Sequence, residues 1–329
     1  MTTRWEKTLL VIKSTIAVQA QPAALNSPTG ELDSAILRTV LYADVFEFPM
    51  RVEEIHFFLI GCSAPREAVD SALAHSAWLQ QYVGIIHGYV LLRRRDYTVE
   101  LRKTREAASV RLWQQARRWG AVLARLPFVR MVALTGALAM RNAENDADDL
   151  DFFIVTAPHR VWTARAASIV MVRLARLGGV HLCPNYILAE TALEQDRKDL
   201  FMAHEIAQMI PLSGFDTYDA MRKANPWTSG YLPNAQTPFY REQATDLPGR
   251  FLQRLAELLL GGALGDAFEK WERNRKIRRF AAQLQRANAS AQLDADHVKG
   301  HFNDYGYPTL DHYHEGLKRY GLDDVERSS

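Results

Sequence analysis

The sequence predicts an α+β fold in which a small mixed β-sheet is flanked by helices, with a helix-and-hairpin module before it and a helical region after it. Three observations carry that expectation. Short apolar strands alternate with helical stretches between residues 128 and 188. Three helical patterns followed by a Gly-containing hairpin precede them, and beyond Glu190 the pattern is helical again. The chain has 329 residues, 48% of them hydrophobic and 24% charged, an ordinary globular balance that excludes disordered and collagen-like classes. That length allows two or three domains.

Taken in order, residues 1–30 read as a peripheral segment. The apolar run that reaches Ala20 is interrupted by Lys13, so a signal peptide is not expected. Residues 31–96 form the first module. A helix capped by Asp33 places Ile36, Leu37, Val40, Leu41 and Val45 on one face, and Phe48–Pro49 stops it. Val52–Leu59 gives a second helix, and a third follows Pro65, with Val69, Leu73, Trp78 and Leu79 at helical spacing. Val83–Ile86 and Tyr89–Leu92 flank His87–Gly88 as a hairpin. Three helices and a hairpin in this order make a winged-helix-like module. Residues 97–126 read as one connecting helix ended by Pro127. Residues 127–215 are the α/β core, with strands at Phe128–Leu134, Phe152–Val155 and Val180–Leu188 and a helix from Trp162 to Leu177. Residues 216–329 are the helical C-terminal domain, interrupted between Asn225 and Pro238.

Charge is unevenly spread. The net charge is only +2, yet residues 93–130 hold ten arginines and Lys103 against Asp96, Glu100 and Glu106, which is 11 − 3 = +8. Residues 270–279 hold six bases and one acid. Such stretches suit anionic partners, or else serve as solvated helix faces. No uncharged apolar run reaches the roughly 18 residues of a transmembrane helix, so no membrane partner is expected. Cys62 and Cys183 stand far apart and suggest neither a disulfide framework nor a metal knuckle, and a cytoplasmic location is expected.

The informative segment is Met131–Thr156, MVALTGALAMRNAENDADDLDFFIVT. An apolar strand runs into Thr135–Gly136–Ala137, where Gly136 lets the backbone approach a ligand closely. A short helix over Leu138–Asn142 would present free amides to a phosphate. Asp149 and Asp151 open the next strand. Residues two apart share a strand face, so both carboxylates project together while Leu150, Phe152 and Ile154 enter the other side. Paired carboxylates repel unless a cation lies between them, and a hard divalent ion such as Mg²⁺ suits them. A solvated acidic turn closing a hairpin is the plainer reading of the same residues.

The pattern Leu134–Gly136–Ala137, eleven intervening residues, then Asp149–Leu150–Asp151–Phe152 resembles the DNA polymerase β-like nucleotidyltransferase superfamily over residues 128–188. The resemblance implies a Mg²⁺-dependent transfer of a nucleoside monophosphate from an NTP to a hydroxyl-type acceptor, with pyrophosphate release. It makes Asp149 and Asp151 the catalytic, metal-binding pair, and gives Thr135, Gly136 and Ala137 to the phosphates. Ala137 stands where Gly or Ser is usual, and Arg141 where many members have a second Gly. A third carboxylate, expected on a later strand, has no clear counterpart: Asn185 is neutral, and Glu190 lies just past the strand.

Further nucleotide contacts are expected from Asn185, from Arg165, on the helix after the Asp strand, and from Lys299, reaching in from a helical lid within Asp296–Gly306. Arg160 is a second candidate on the same helix. His297 and His301, four apart, could share a helix face as metal ligands, although Gly300 interrupts them. Trp227 and Tyr231 could stack on a base. The alternative function is a winged-helix DNA-binding regulator with a degenerate transferase-like sensor domain. Its third helix, Arg66–Gln80, carries a single base, Arg66, where groove-reading helices present several donors. The acceptor class, whether small molecule, RNA end or protein, is not written in the sequence.

Overall fold

The computed structural model describes residues 30–240, 250–284, 292–299 and 305–322. The peripheral segment expected over residues 1–30 therefore lies outside the described residues except for Gly30.

The N-terminal module follows the expected order. Helices α1 (Glu31–Asp44), α2 (Val52–Phe57), α3 (Arg66–His75) and α4 (Leu79–Tyr82) precede strands β1 (Val83–Ile86) and β2 (Tyr89–Leu92), which pair antiparallel. Met50 adds a bridge to Val90. Asp33 is not the cap of α1. It lies in the first turn, buried, where its carboxylate accepts a 2.6 Å hydrogen bond from Ser76 Oγ and ties α1 to the chain before α4. The apolar stripes of these elements meet in one core around Ile36, Leu37, Ile55, Phe58, Leu59 and Leu79.

Helix α5 (Tyr97–Leu123) leads into the sheet, its sequence free of Pro and holding a single Gly, Gly120, near its end. The core then comprises β3 (Val129–Leu134), α6 (Gly136–Ala139), β4 (Leu150–Thr156), α7 (Val161–Leu177), β5 (Leu182–Ala189), α8 (Leu200–Gln208), β6 (Ile210–Ser213) and α9 (Phe215–Ala224). After α10 (Thr228–Tyr231) come α11 (Arg250–Leu260), α12 (Ala263–Leu284), β7 (His297–Lys299) and α13 (Gly306–Tyr320). The sheet order is β6-β3-β4-β5-β7, with β4 and β5 parallel and the other neighbours antiparallel. The sheet is thus mixed, as expected. Its edge strand β7 corrects the reading of residues 216–329 as wholly helical: Val298 opposite Ile187 buries an apolar side chain against the sheet.

Alternation along β4 divides the core. Leu150, Phe152 and Ile154 join Trp113 and Ala116 of α5 and Trp162 and Ala164 of α7 on one face. Phe153 and Val155 join Met202 and Ile206 of α8 and Tyr218 and Met221 of α9 on the other. The result is three layers, helix–sheet–helix. The N-terminal module docks on the second layer. Leu200, Ala203 and Ala207 of α8 belong to its core, and the Tyr42 ring stacks on His204 at 3.9 Å between centroids. Burial pushes His204 down to about 4, so it packs as a neutral ring.

The basic run 93–130 is paired in part within the protein. Arg95 meets Asp44 at 2.8 Å, Arg105 meets Glu47 at 3.3 Å, Arg111 meets Asp146 at 2.7 Å and Arg130 meets Glu257 at 2.8 Å. Arg102 is clamped between Glu54 (2.7 Å) and Glu106 (2.8 Å) with its guanidinium over the Phe48 ring. Part of the positive field expected from sequence is thereby spent within the protein, with Arg102 and Arg105 joining α5 to the N-terminal module. No helix among the described residues is long and apolar enough to cross a membrane.

Candidate functional site

The strand–turn–strand expected around Gly136 forms, and its two sides touch. Gly136 has φ +69°, and a Cβ added there would lie 2.6 Å from Asp151 Oδ2. Any other residue would both strain the backbone and displace the carboxylate. Thr135, buried, donates its backbone N–H to the Asp151 carbonyl at 3.0 Å, which fixes the register of turn and strand. The helix expected over Leu138–Asn142 is a single turn, Gly136–Ala139. A strong dipole cannot build up in so short a piece, so what the turn offers an anion is the first-turn amides of Gly136 and Ala137. Arg141, at the expected second glycine, adopts the glycine-like φ of +56°, with its guanidinium 4.0 Å from the Trp113 ring centroid.

Asp149 lies one residue before β4 and not in it, and Asp151 is the second residue of the strand, next to Cys183 of β5; between them Leu150 is held to His181 by a 2.8 Å backbone bond. Asp149 is exposed and 3.4 Å from His181 Nδ1, whereas Asp151 is half-buried and accepts a hydrogen bond from the Cys183 thiol. The acids are therefore accompanied by a His–Leu–Cys alternation on the parallel neighbour, a period-2 signal visible in the sequence at 181–183 but not used. Burial pushes Asp151 up to about 7, and the nearby carboxylates Asp149 and Glu205 push the same way against the thiol hydrogen bond.

Glu205 was not anticipated. It projects from α8 onto the sheet face that Asp151 shares, and burial raises its carboxyl to about 6 despite the opposing pull of Lys299 and Arg197. A lone acid in the apolar helix LFMAHEIAQ was the available signal. Only the docking of that helix, with His204 turned toward the N-terminal module, decides that Glu205 meets the sheet.

A cavity of about 90 Å³ is lined among others by Thr135, Asn185, Tyr186, Arg197, Glu205 and Lys299; Gly136, Ala137, Asp149 and Asp151 do not line it. Asn185 reaches it because β5 bulges: Phe152 pairs with Pro184 and Phe153 with Tyr186, which leaves Asn185 as the extra residue. Lys299 lines it from strand β7, opposite Tyr186, and not from a helical lid. Arg197 stacks over Tyr307 at 4.5 Å and pairs with Asp199.

Other expected contacts lie elsewhere. Arg165 is on α7, in the opposite layer, between Glu272 and Arg275 of α12, where burial lowers its basicity. It does not line the cavity. The register explains this. Glu269 of α12 caps the start of α7, accepting from Trp162 N (2.8 Å) and Thr163 N (2.7 Å), so the next turn also faces α12. Arg160 donates to the Gly261 carbonyl at 2.9 Å and pairs with Asp266 at 2.6 Å. Trp227 Nε1 donates to Asn225 Oδ1 at 3.1 Å, which makes it a loop anchor. His297 sits 3.1 Å from Asp294, and His301 lies outside the described residues. Among the described residues no group of three or more His, Cys, Asp or Glu is arranged to hold a metal ion. Mg²⁺, however, needs only one or two protein carboxylates when substrate phosphates complete its shell. Two half-repelling acids, one of them held protonated near neutral pH, have the donor chemistry that such an ion relieves. Arg66, the lone base of α3, is 3.6 Å from both Glu53 and Asp70.

One consequence concerns stability. Asp151 and Glu205 hold their protons more tightly folded than unfolded, so stability is fullest below pH 4 for these groups and falls as pH rises toward about 7. For Asp151 alone the fall is on the order of 4 kcal/mol at most. In metal-free buffer the melting temperature of the native protein relative to Asp151→Asn should fall between pH 4.5 and 7.5, since His204, held neutral, acts in the opposite direction equally in both. Equal slopes in both proteins, measured by thermal denaturation, would contradict the assignment.

The chain matches no family model, no curated protein and no solved structure.

Proposed function

We propose that the protein is a nucleotidyltransferase that moves a nucleoside monophosphate from an NTP to a hydroxyl-type acceptor and releases pyrophosphate. The observation that carries this reading is the contact between Gly136 and the Asp151 carboxylate. A bare backbone turn beside an acid lets one phosphate meet backbone amides on one side and a carboxylate-held cation on the other, an arrangement suited to phosphoryl transfer. Asp149 and Asp151 would hold Mg²⁺, with substrate phosphates and water completing its shell. When bound, the ion would supply charge neutralisation of the triphosphate.

The chain's own groups account for the rest. The amides of Gly136 and Ala137 and the Thr135 side of the turn orient the terminal phosphates. Lys299, Arg197 and Asn185 line the cavity, where cations and an amide suit phosphate or ribose oxygens. Glu205, raised to about 6, is placed to take the proton of an acceptor hydroxyl. Positioning and fixed charge carry most of such a reaction. The winged-helix-like module serves in this reading to seat α8, and so Glu205, rather than to read a DNA groove.

The test is incubation with each α-labelled NTP and Mg²⁺, with and without cell extract. Label should pass to protein, RNA or a small molecule with an equal yield of pyrophosphate. Absence of Mg²⁺-dependent pyrophosphate from all four NTPs, extract included, would overturn the proposal.

A further inference from the structure

Helices α11 and α12 carry a surface that the site does not use. The polar side of α11 is fastened to the protein: Gln253 Nε2 donates to the Leu126 carbonyl at 2.9 Å, and Glu257 accepts from Phe128 N at 2.7 Å and pairs with Arg130. Its opposite side is apolar and faces away. Phe251, Leu255 and Leu258 follow one another at i, i+4, i+7, flanked by Leu252 and Leu259, and Phe251 is 75% and Leu258 78% exposed. On α12 the same spacing recurs in Leu264, Phe268 and Trp271, of which Leu264 is 85% exposed. That spacing is the seam of a helix bundle.

We infer that this face is a self-association surface, on which a second copy of the chain packs its own α11 and α12 about a two-fold axis. The exposed parts of these eight side chains amount to on the order of 800 Å² of apolar surface. One partner in an interface of standard size contributes about 800 Å², and the largest apolar patch of a typical monomer is only ~300–600 Å². Two successive helices that each present an apolar stripe offer a self-complementary surface, which a two-fold copy covers without any further element.

The test is sedimentation of the full chain over a range of concentrations, with the double variant Leu252→Glu, Leu258→Glu in parallel. The native protein should sediment at twice the chain mass, and the variant should dissociate at least a hundredfold more readily while keeping its far-ultraviolet circular dichroism. Both leucines are exposed in the single chain, so the substitutions have no core to disrupt; Leu264→Glu on α12 checks the result from the other helix. A native protein that stays monomeric, whether it is bound by anionic vesicles or has this face protected from hydrogen exchange by its own chain, would overturn the inference. So would a dimer unmoved by all three substitutions.

Discussion

Asp151→Asn is expected to lower Mg²⁺-dependent pyrophosphate release by roughly 10³-fold, since the several kcal/mol of charge stabilisation at stake convert to about that factor in rate. The substitution keeps the shape of the side chain and its ability to accept from the Cys183 thiol, so Gly136 and the turn should stay in place. The same change should raise the melting temperature at pH 8 in metal-free buffer. There the native carboxylate is ionised in a half-buried position beside Asp149 and Glu205, whereas the amide carries no charge. Loss of activity with gain of stability is the signature of a group kept for function. Asp149→Asn should lose activity similarly with little change in stability, because Asp149 is exposed. A steady-state pyrophosphate assay paired with thermal melts checks both. Full activity in either variant would remove the pair from the mechanism.

Arg102→Met is expected to cost the largest share of stability of any single change considered. Arg102 is 1% and Glu54 2% exposed, and the guanidinium also donates to the Pro49 carbonyl at 3.3 Å. Methionine fills much of the volume and leaves the Phe48 ring covered. It leaves Glu54, however, as a buried charge without its cation, a change worth about 3–5 kcal/mol. Glu54 still accepts from the Arg51 backbone N–H, so the effect falls short of an isolated ion in hydrocarbon. The double variant Arg102→Met, Glu54→Leu should recover most of the loss, because the stranded charge goes with it. Denaturant titration of the two proteins checks this. Equal destabilisation in both would mean that packing and not charge is at stake.

Much of the architecture was legible because it is local. Hairpin β1–β2 needed only β-branched and aromatic runs around His87–Gly88, and α5 needed only a long stretch without Pro. The face on which Asp151 stands, with Phe153 and Val155, follows from the period of a strand, which is fixed by backbone geometry. The sequence alone therefore determined the Gly136 turn and the side of β4 that carries Asp151.

Tertiary structure decided what joins them. Glu205 faces the sheet only because Leu200, Ala203 and Ala207 turn the rest of α8 toward the N-terminal core, a choice between two apolar faces that periodicity leaves open. Arg165 lies in the opposite layer because Glu269 holds the start of α7 against α12, more than a hundred residues away in the chain. Asn185 and Lys299 reach the cavity through a bulge in β5 and a late edge strand, and both arise from pairing between distant segments. Spacing along a chain fixes which side chains share a face; which face meets which is settled by the packing of whole elements, where the gain from burying apolar surface is summed over residues that the local pattern does not connect.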